Sequence, residues 1–292
     1  MSNFCVSFPD ANIPLSVILG ETEFEQKIKF FQESVLKDKL NVEILPKTND
    51  EVINRISKAF TVFDDILKKL GTKLETLTGT KLSDLIIETL ILKRIEQAID
   101  EIITDFVKTI EHERQRNRAI QQTRIVEAAL VRAVYTVLES KEKIVMFELL
   151  KKIDKQCVQI YVEYGDRFSS FLKILNAKVL VHKELWRPRQ KLADVLSIVR
   201  NPNDVELLSQ AVCRMFQVNL WGAIVTADYS DIFHKRDPIY TQTLLTVCDP
   251  LYLLNHLDGQ IQVNIHPQDE ARKIDLRFGE LVTLPTRPGH IA

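Results

Sequence analysis

The chain has 292 residues, a formal net charge of −1, and a content of 45% apolar and 27% charged residues. This composition is typical of a globular protein with one large or two smaller domains, and the near-zero charge excludes a global electrostatic attraction to nucleic acid or to membranes. The four cysteines form no C-x-x-C pair and there are only 8 glycines, which argues against a zinc cage, a disulfide framework and a glycine-rich phosphate loop.

The sequence pattern also predicts where the protein resides. The N-terminus has no basic region followed by an apolar core, which argues against a signal peptide. No apolar run approaches the roughly 18–20 residues that a membrane span requires. Scattered, unpaired cysteines are typical of a reducing compartment. Together these observations predict a cytoplasmic protein that does not bind membranes.

The N-terminal region alternates between strand and helix patterns. Residues 4–8 predict a short strand, and apolar residues at helical spacing from Ile13 to Val35 predict two helices that break near Gly20. A second strand at 42–45 is followed by turn residues and by Glu51 in the first turn of the next helix. The order strand, helix, strand, helix is typical of the start of an α/β unit.

The middle of the chain, from about residue 51 to residue 198, is rich in helix formers at helical spacing. An apolar stripe from Ile86 to Ile110 follows the helical period closely. We interpret residues 56–194 as an inserted helical subdomain, either a hairpin or a small bundle, and as a candidate surface for a protein partner.

Two basic stretches lie within this insertion, at residues 111–118 and 183–191. Arginines at helical spacing can follow a nucleic-acid backbone. Glu111 and Glu113 offset part of the charge, however, and this favours a solvated helix face or a loop between two helices. The candidate nucleic-acid contacts are Arg114, Arg116, Arg118, Arg124, Arg187 and Arg189.

The α/β pattern returns after residue 201. Asp204 stands at the N-cap or in the first turn of a helix, and the apolar run at 220–225 has the pattern of a buried strand. Thr226, Asp228 and Asp231 follow this strand. Asp commonly caps a helix or a turn, so Asp228 taken by itself has that interpretation.

The C-terminal region continues with a helix or loop at 240–245, a short strand at 245–248 and a final helix at 251–257. Alternating apolar segments after residue 259 predict a β-hairpin-like extension. The predicted organisation is therefore a discontinuous α/β domain at 1–55 and 195–258, the helical insertion at 56–194 and the extension at 259–292.

Four acids occupy comparable positions in the predicted α/β domain. Asp10 and Asp228 end strands, whereas Glu51 and Asp204 open helices. The carboxyl ends of parallel strands share one edge, near helix N-termini. Carboxylates crowded there repel one another unless a cation neutralises them, and hard oxygen ligands suit Mg²⁺ or Mn²⁺. Such a site supports phosphoryl transfer or phosphodiester hydrolysis, because a bound metal activates water.

Four short motifs contain these acids: Asp-Ala-Asn-Ile at 10–13, Asp-Glu-Val-Ile at 50–53, the segment from Asp204 to Ala211, and Ile-Val-Thr-Ala-Asp at 224–228. In this order they resemble the motifs of PIN-domain ribonucleases, a family named after the N-terminal domain of a pilus protein. The resemblance implies a PIN-like three-layer α/β/α fold with a central, mostly parallel sheet.

The resemblance also implies the composition of the site. Mg²⁺ or Mn²⁺ would be held by Asp10, Glu51, Asp204 and Asp228, which are also the implied catalytic residues. Asn12 and Thr226 would support the site, and Asp231 would be an additional ligand through water.

The resemblance covers about the first 55 residues and residues 195–258, and the sequence departs from the family pattern in several places. Pro9 stands where the family has an apolar strand residue. Asp50 competes with Glu51, and Glu206 with Asp204, for the ligand roles. The helical middle is longer than a compact domain of this kind needs.

The function implied by the resemblance is that of a metal-dependent endonuclease that hydrolyses RNA phosphodiester bonds. Small domains of the family commonly pair, so a homodimer is one expectation. Two alternatives stay open: a catalytically inactive PIN-like scaffold that binds a protein or RNA partner through the insertion, and a purely helical interaction protein. Convergence of the four carboxylates would favour the nuclease, and a parallel sheet shared by residues 1–50 and 200–258 would exclude the helical protein.

Overall fold

The computed structural model describes residues 5–19, 22–38, 40–78, 89–108, 127, 130–136, 146–185, 196–227, 229, 232–251 and 267. The chain separates into two compact units, one formed by residues 1–52 and 167–292 and the other by residues 53–166. The sequence pattern places the boundaries after residues 55 and 194, so the main difference is that residues 167–194 belong to the first unit.

The first unit is built on a five-stranded parallel sheet in the order β3-β2-β1-β4-β5. The strands are β1 (Cys5–Pro9), β2 (Asn41–Ile44), β3 (Lys178–Val179), β4 (Trp221–Val225) and β5 (Thr246–Cys248). The predicted α/β class with a parallel sheet is therefore confirmed. A purely helical protein is excluded, because strands from both ends of the chain pair in this sheet.

The central strands β1 and β4 are buried at every residue, as expected for parallel strands that are covered on both faces. This explains the continuous apolar run that ends at Val225. Gly222 of β4 is required by close packing: a Cβ atom there would lie 3.1 Å from both Leu245 Cδ1 and Phe8 Cε2. Any larger residue would have to displace these neighbours.

Several helices begin at the carboxyl edge of the sheet. Helix α1 (Asn12–Leu19) follows β1, helix α3 (Pro46–Thr78) follows β2, and the helix that precedes β4, Pro202–Val218, starts at the same edge because it runs antiparallel to the strands. Proline suits the first helical position, where its missing N–H costs no hydrogen bond. Because Pro46 opens α3, Glu51 lies in its second turn and not in the predicted first turn.

The helix Pro202–Val218 is α6. The other described helices include α2 (Thr22–Asp38), which leads into β2, α4 (Thr89–Lys108), α5 (Met146–Ile174) and α7 (Arg236–Thr243). Short 3-10 turns occupy His182–Glu184, Leu196–Ile198 and Phe233–Lys235. Helix α7 covers residues 240–243 of the segment 240–245, which the sequence predicts as a helix or a loop. The predicted helix after Leu251 and the extension at 259–292 lie outside the described residues, apart from Pro267.

Strand β3 lies within the stretch predicted to be helical, and that prediction is wrong at this point. Val179 pairs with Ile44 of β2, and the Leu180 N–H donates to the Ile44 carbonyl at 2.9 Å. Both strand residues are exposed, and two residues are too few for an alternating pattern to show in a sequence. Only the pairing with β2 defines the strand.

Local signals determine both ends of helix α6. The Asn201 side chain accepts the N–H of Asn203 at 3.2 Å, and Pro202 opens the helix. At the other end Asn219 has a φ of 54°, the left-handed conformation that Asn tolerates better than most residues. The helix that precedes β4 therefore starts and stops where its sequence specifies.

A buried ion pair attaches α6 to the sheet. Arg214 donates from Nε and Nη2 to the Glu43 carboxylate of β2, both at 2.6 Å, and each side chain is only 11% exposed. Hydrogen bonding to Glu43 raises the pKa of Arg214 above its ordinary value. Because the contact is bidentate, it fixes the orientation of α6 as well as its distance from β2.

The second unit is helical in all of its described residues. It contains most of α3, α4, the helical residues 130–136 and most of α5. Its buried side chains include Leu70, Ile99, Leu130 and Ile153. Phe60 packs edge to face on Tyr161 with the ring centroids 4.7 Å apart. Across the described part of the chain, no helix is long and apolar enough to cross a membrane.

Candidate functional site

Asp10 lies at the carboxyl end of the central strand β1, where its backbone N–H donates to the Val225 carbonyl of β4 at 2.9 Å. Its carboxylate accepts three hydrogen bonds, from Ala11 N–H at 2.6 Å, Asn12 Nδ2 at 2.8 Å and Thr226 Oγ1 at 2.9 Å. Hydrogen bonds to an ionised acceptor are stronger than those between neutral groups. The position of the Asp10 carboxylate is therefore fixed by its neighbours.

Asn12 and Thr226 form the frame around Asp10. Thr226 is fully buried and accepts a hydrogen bond from Asn12 Nδ2 at 3.0 Å, while the Ala227 N–H donates to Asn12 Oδ1 at 3.2 Å. These contacts join the ends of β1 and β4 to the first turn of α1. The structure thus places both residues against Asp10.

Contacts between helix ends draw α3 and α6 to the same edge. Thr48 Oγ1 donates to the Pro9 carbonyl at 3.0 Å, which joins the start of α3 to the end of β1. Lys47 joins α3 to the start of α6, since its Nζ donates to Asn203 Oδ1 at 3.0 Å and its N–H to Gln210 Oε1 at 2.9 Å. Glu51 in the second turn of α3 and Asp204 in the first turn of α6 therefore belong to helices that begin at the edge that carries Asp10, but these three described acids do not form a metal-binding cluster.

The acids that compete with Glu51 and Asp204 in the sequence have other partners. Asp50 contacts His182 Nε2 at 3.2 Å with a side chain that is 53% exposed. Glu206 forms an ion pair with Lys47 at 2.7 Å. Glu51 and Asp204 are both half-buried.

The described residues do not by themselves form a complete metal site. Among them, no three His, Cys, Asp or Glu side chains lie close enough together to hold a metal ion. Asp228 and Asp231 lie outside the described residues, and so do the six arginines predicted to contact nucleic acid. The donors available at this edge are hard carboxylate oxygens, and this donor set fits Mg²⁺ or Mn²⁺ better than softer metals.

Asp249 is an acid at this edge that the sequence patterns did not single out as a site residue. It directly follows β5, is 1% exposed, and accepts hydrogen bonds from Lys27 Nζ at 3.0 Å and from the Leu251 N–H at 2.8 Å. The rule that selected Asp10, an acid immediately after a buried strand, also selects Asp249. No pattern in the sequence marks Lys27 of α2 as the partner of Asp249.

The cysteines take no part in chemistry at this edge. Cys248 of β5 is fully buried, and burial raises the pKa of its thiol to about 12. Burial likewise raises the pKa of the Cys5 thiol in β1 to about 12. Because the thiolate is the nucleophilic and metal-binding form, both side chains act as small apolar core residues at neutral pH.

Comparisons with known proteins do not identify the chain. No family model matches it, and neither the curated proteins nor the solved structures include a significant match. The α/β class and the residues around Asp10 are therefore the observations from which a function can be argued.

Proposed function

We propose that this chain is a PIN-like, three-layer α/β/α endonuclease that hydrolyses RNA phosphodiester bonds with Mg²⁺ or Mn²⁺ held by acids at the carboxyl edge of the sheet. The observation that carries the proposal is the framed carboxylate of Asp10. It follows the central strand, is fixed by Asn12 and Thr226, and shares its edge with the first turns of two further helices.

The framing residues determine what Asp10 can do. Asn12 and Thr226 both donate to the same carboxylate oxygen, Oδ2, which holds the plane of the group. A side chain fixed in this way loses little conformational freedom when an ion binds.

Asp10, Glu51, Asp204 and Asp228 would hold the metal, and Asp231 would act through water. Such a metal supplies a water of lowered pKa and stabilises the charge that develops on the reacting phosphate. The N-termini of α1, α3 and α6 favour negative charge at this edge. Carboxylates are therefore stabilised there before the cation binds, and the cation removes their remaining mutual repulsion.

The test is magnesium-dependent cleavage of a labelled single-stranded RNA by the wild type and by Asp10→Asn and Asp228→Asn. We expect at least a hundredfold loss of the cleavage rate in both variants, because each removes a charged metal ligand. Asp65→Asn, at an exposed position of α3, is the matched control and should retain the wild-type rate. Equal rates in all four proteins would refute the assignment of these acids.

A second candidate is a catalytically inactive scaffold that binds a partner through the second unit. It is favoured by the lack of a three-acid cluster among the described residues and by exposed apolar side chains on α5, where Val158 is 60% and Val162 is 56% exposed. Calorimetric titration with Mg²⁺ separates the two functions. The nuclease requires binding that Asp10→Asn weakens, whereas the scaffold predicts no such difference and no cleavage by the wild type.

A further inference from the structure

A row of two adjacent aromatic side chains, flanked by a cation at each end, lies at the same edge of the first unit. It consists of Lys27, Tyr229, Phe233 and Arg236, and we call it the aromatic row. Lys27 Nζ lies 4.5 Å from the centroid of the Tyr229 ring, and the Arg236 guanidinium carbon lies 4.8 Å from the centroid of the Phe233 ring. The two rings meet edge to face, with their centroids 5.0 Å apart and an interplanar angle of 75°.

The row is held in place by buried groups beneath it. Lys27 donates to Asp249, whose side chain is 2% exposed, and is also hydrogen-bonded to the Tyr229 hydroxyl. Ile232, which precedes Phe233, is 2% exposed and belongs to the core. The orientation of both rings is therefore set before any ligand arrives, which lowers the entropy that binding would cost.

Part of the aromatic row is nevertheless exposed to solvent. Tyr229 is 38% exposed and the Arg236 side chain is 43% exposed. An exposed aromatic ring flanked by cations is a group on which the bases of single-stranded nucleic acids stack. Tyr229 is such a ring, whereas Phe233 beside it is partly buried against the core. The bases of a duplex are already stacked on one another, so the same surface would not accept them.

The charges near the row indicate that stacking, more than attraction to phosphate, would supply the affinity. Asp249 pairs with Lys27, and an Asp237 oxygen lies 3.8 Å from Arg236 Nε. These acids offset part of the positive charge. A binding surface of this kind is compatible with the net charge of −1, which gives no general attraction to polyanions.

We propose that the aromatic row is a base-stacking platform that selects single-stranded nucleic acid. Tyr229 follows Ala227 by two residues, and the Ala227 N–H donates to Asn12 of the Asp10 frame. The platform therefore follows the Asp10 frame closely in the chain. As a determinant of substrate choice the platform rests on the proposed nuclease function, whereas the binding itself is independent of cleavage.

The test measures binding of a short, labelled single-stranded RNA by fluorescence anisotropy, with divalent cations chelated so that no cleavage occurs. Tyr229→Leu keeps the apolar bulk and removes the ring, and we expect it to weaken binding about 5- to 150-fold, the range for loss of one stacked base. Tyr229→Phe should stay within about twofold of the wild type, because it keeps the ring. Tyr240→Leu is the matched control, since Tyr240 is also 38% exposed and lies on α7 outside the row.

A second readout uses the same RNA annealed to its complement. The wild type should bind the duplex at least about fivefold more weakly than the single strand, by the same stacking contribution. Single-stranded DNA of the same sequence should bind as RNA does if stacking dominates. If circular dichroism shows that Tyr229→Leu is unfolded, Arg236→Gln replaces it, with an expected loss of about two- to fivefold from the missing cation over Phe233.

Several results would overturn the platform: equal affinities of the wild type and Tyr229→Leu, an equal loss in Tyr240→Leu, a preference for the duplex, or no binding by the wild type. Because cleavage plays no part in this measurement, an inactive wild type would contradict the proposed nuclease function and leave the platform intact. Conversely, an active enzyme whose Tyr229→Leu variant binds RNA normally would refute the platform alone.

Discussion

Replacement of Thr226 by valine tests the frame around Asp10 directly. Valine has nearly the same shape but lacks the hydroxyl, so the change removes the hydrogen bond donated to Asp10 Oδ2 at 2.9 Å and the one accepted from Asn12 Nδ2 at 3.0 Å. Because Thr226 is fully buried, water cannot replace the lost partner at its position.

The magnitude follows from the charges involved. A hydrogen bond to a charged group contributes about 1.5–3 kcal/mol and one between neutral groups about 0.5–1.5 kcal/mol. Asn12 Nδ2 keeps its hydrogen bond to Asp10, so only one of its two N–H groups loses a partner. The extra buried methyl group offsets part of the loss. We expect the free energy of unfolding of the first unit to fall by about 2–3 kcal/mol.

Urea unfolding followed by tryptophan fluorescence is the assay, because Trp221 of β4 is buried in the first unit. The matched control is Thr241→Val on α7, an exposed threonine whose hydroxyl donates only to a carbonyl of its own helix. It should change stability by less than about 0.5 kcal/mol. Thr226→Ser, which keeps the hydroxyl, should recover more than half of the loss. A Thr226→Val protein as stable as the control would refute the frame.

Two further predictions concern the sheet and its core. Arg214→Met leaves the Glu43 carboxylate buried without its bidentate partner and should lower the free energy of unfolding by about 3–5 kcal/mol. The control Lys178→Met breaks the exposed pair with Glu184 at 3.6 Å and should lower it by less than about 1 kcal/mol. Similar losses for the two variants in urea unfolding would show that burial does not strengthen the dependence of Glu43 on Arg214. Burial raises the pKa of the Cys248 thiol from its ordinary value of 9.0 to about 12. As the pH rises, the thiol therefore ionises in the unfolded chain before it ionises in the folded protein. The free energy of unfolding should consequently fall by about 1.4 kcal/mol per pH unit between pH 9 and 12. Cys248→Ala should remove that part of the slope in urea titrations at alkaline pH, and an unchanged slope would show that the thiol ionises equally in both states.

The local pattern of the sequence determined much of the first unit. Buried runs of apolar residues predicted β1, β2, β4 and β5 to within one or two residues at each end, because a parallel strand covered on both faces must be apolar along its length. Asn201, Pro202 and Asn219 carry the signals that begin and end α6. The order of residues 10–12 predicted that Asp10 and Asn12 would stand at the end of a strand, where they are found.

Other features exist only because the chain folds back on itself. Thr226 meets Asp10 across 216 residues and Lys27 meets Asp249 across 222, and no local pattern records such pairings. Strand β3 consists of two exposed residues and is defined by its hydrogen bonds to β2. The aromatic row joins α2 to the segment after β4, so its residues become a surface only when the sheet aligns their elements. The sequence by itself determined which residues end each strand, since that depends on local burial and turn chemistry. The tertiary structure decided which of those ends meet, because long-range hydrogen bonds and packing select one arrangement among many that the same local patterns allow.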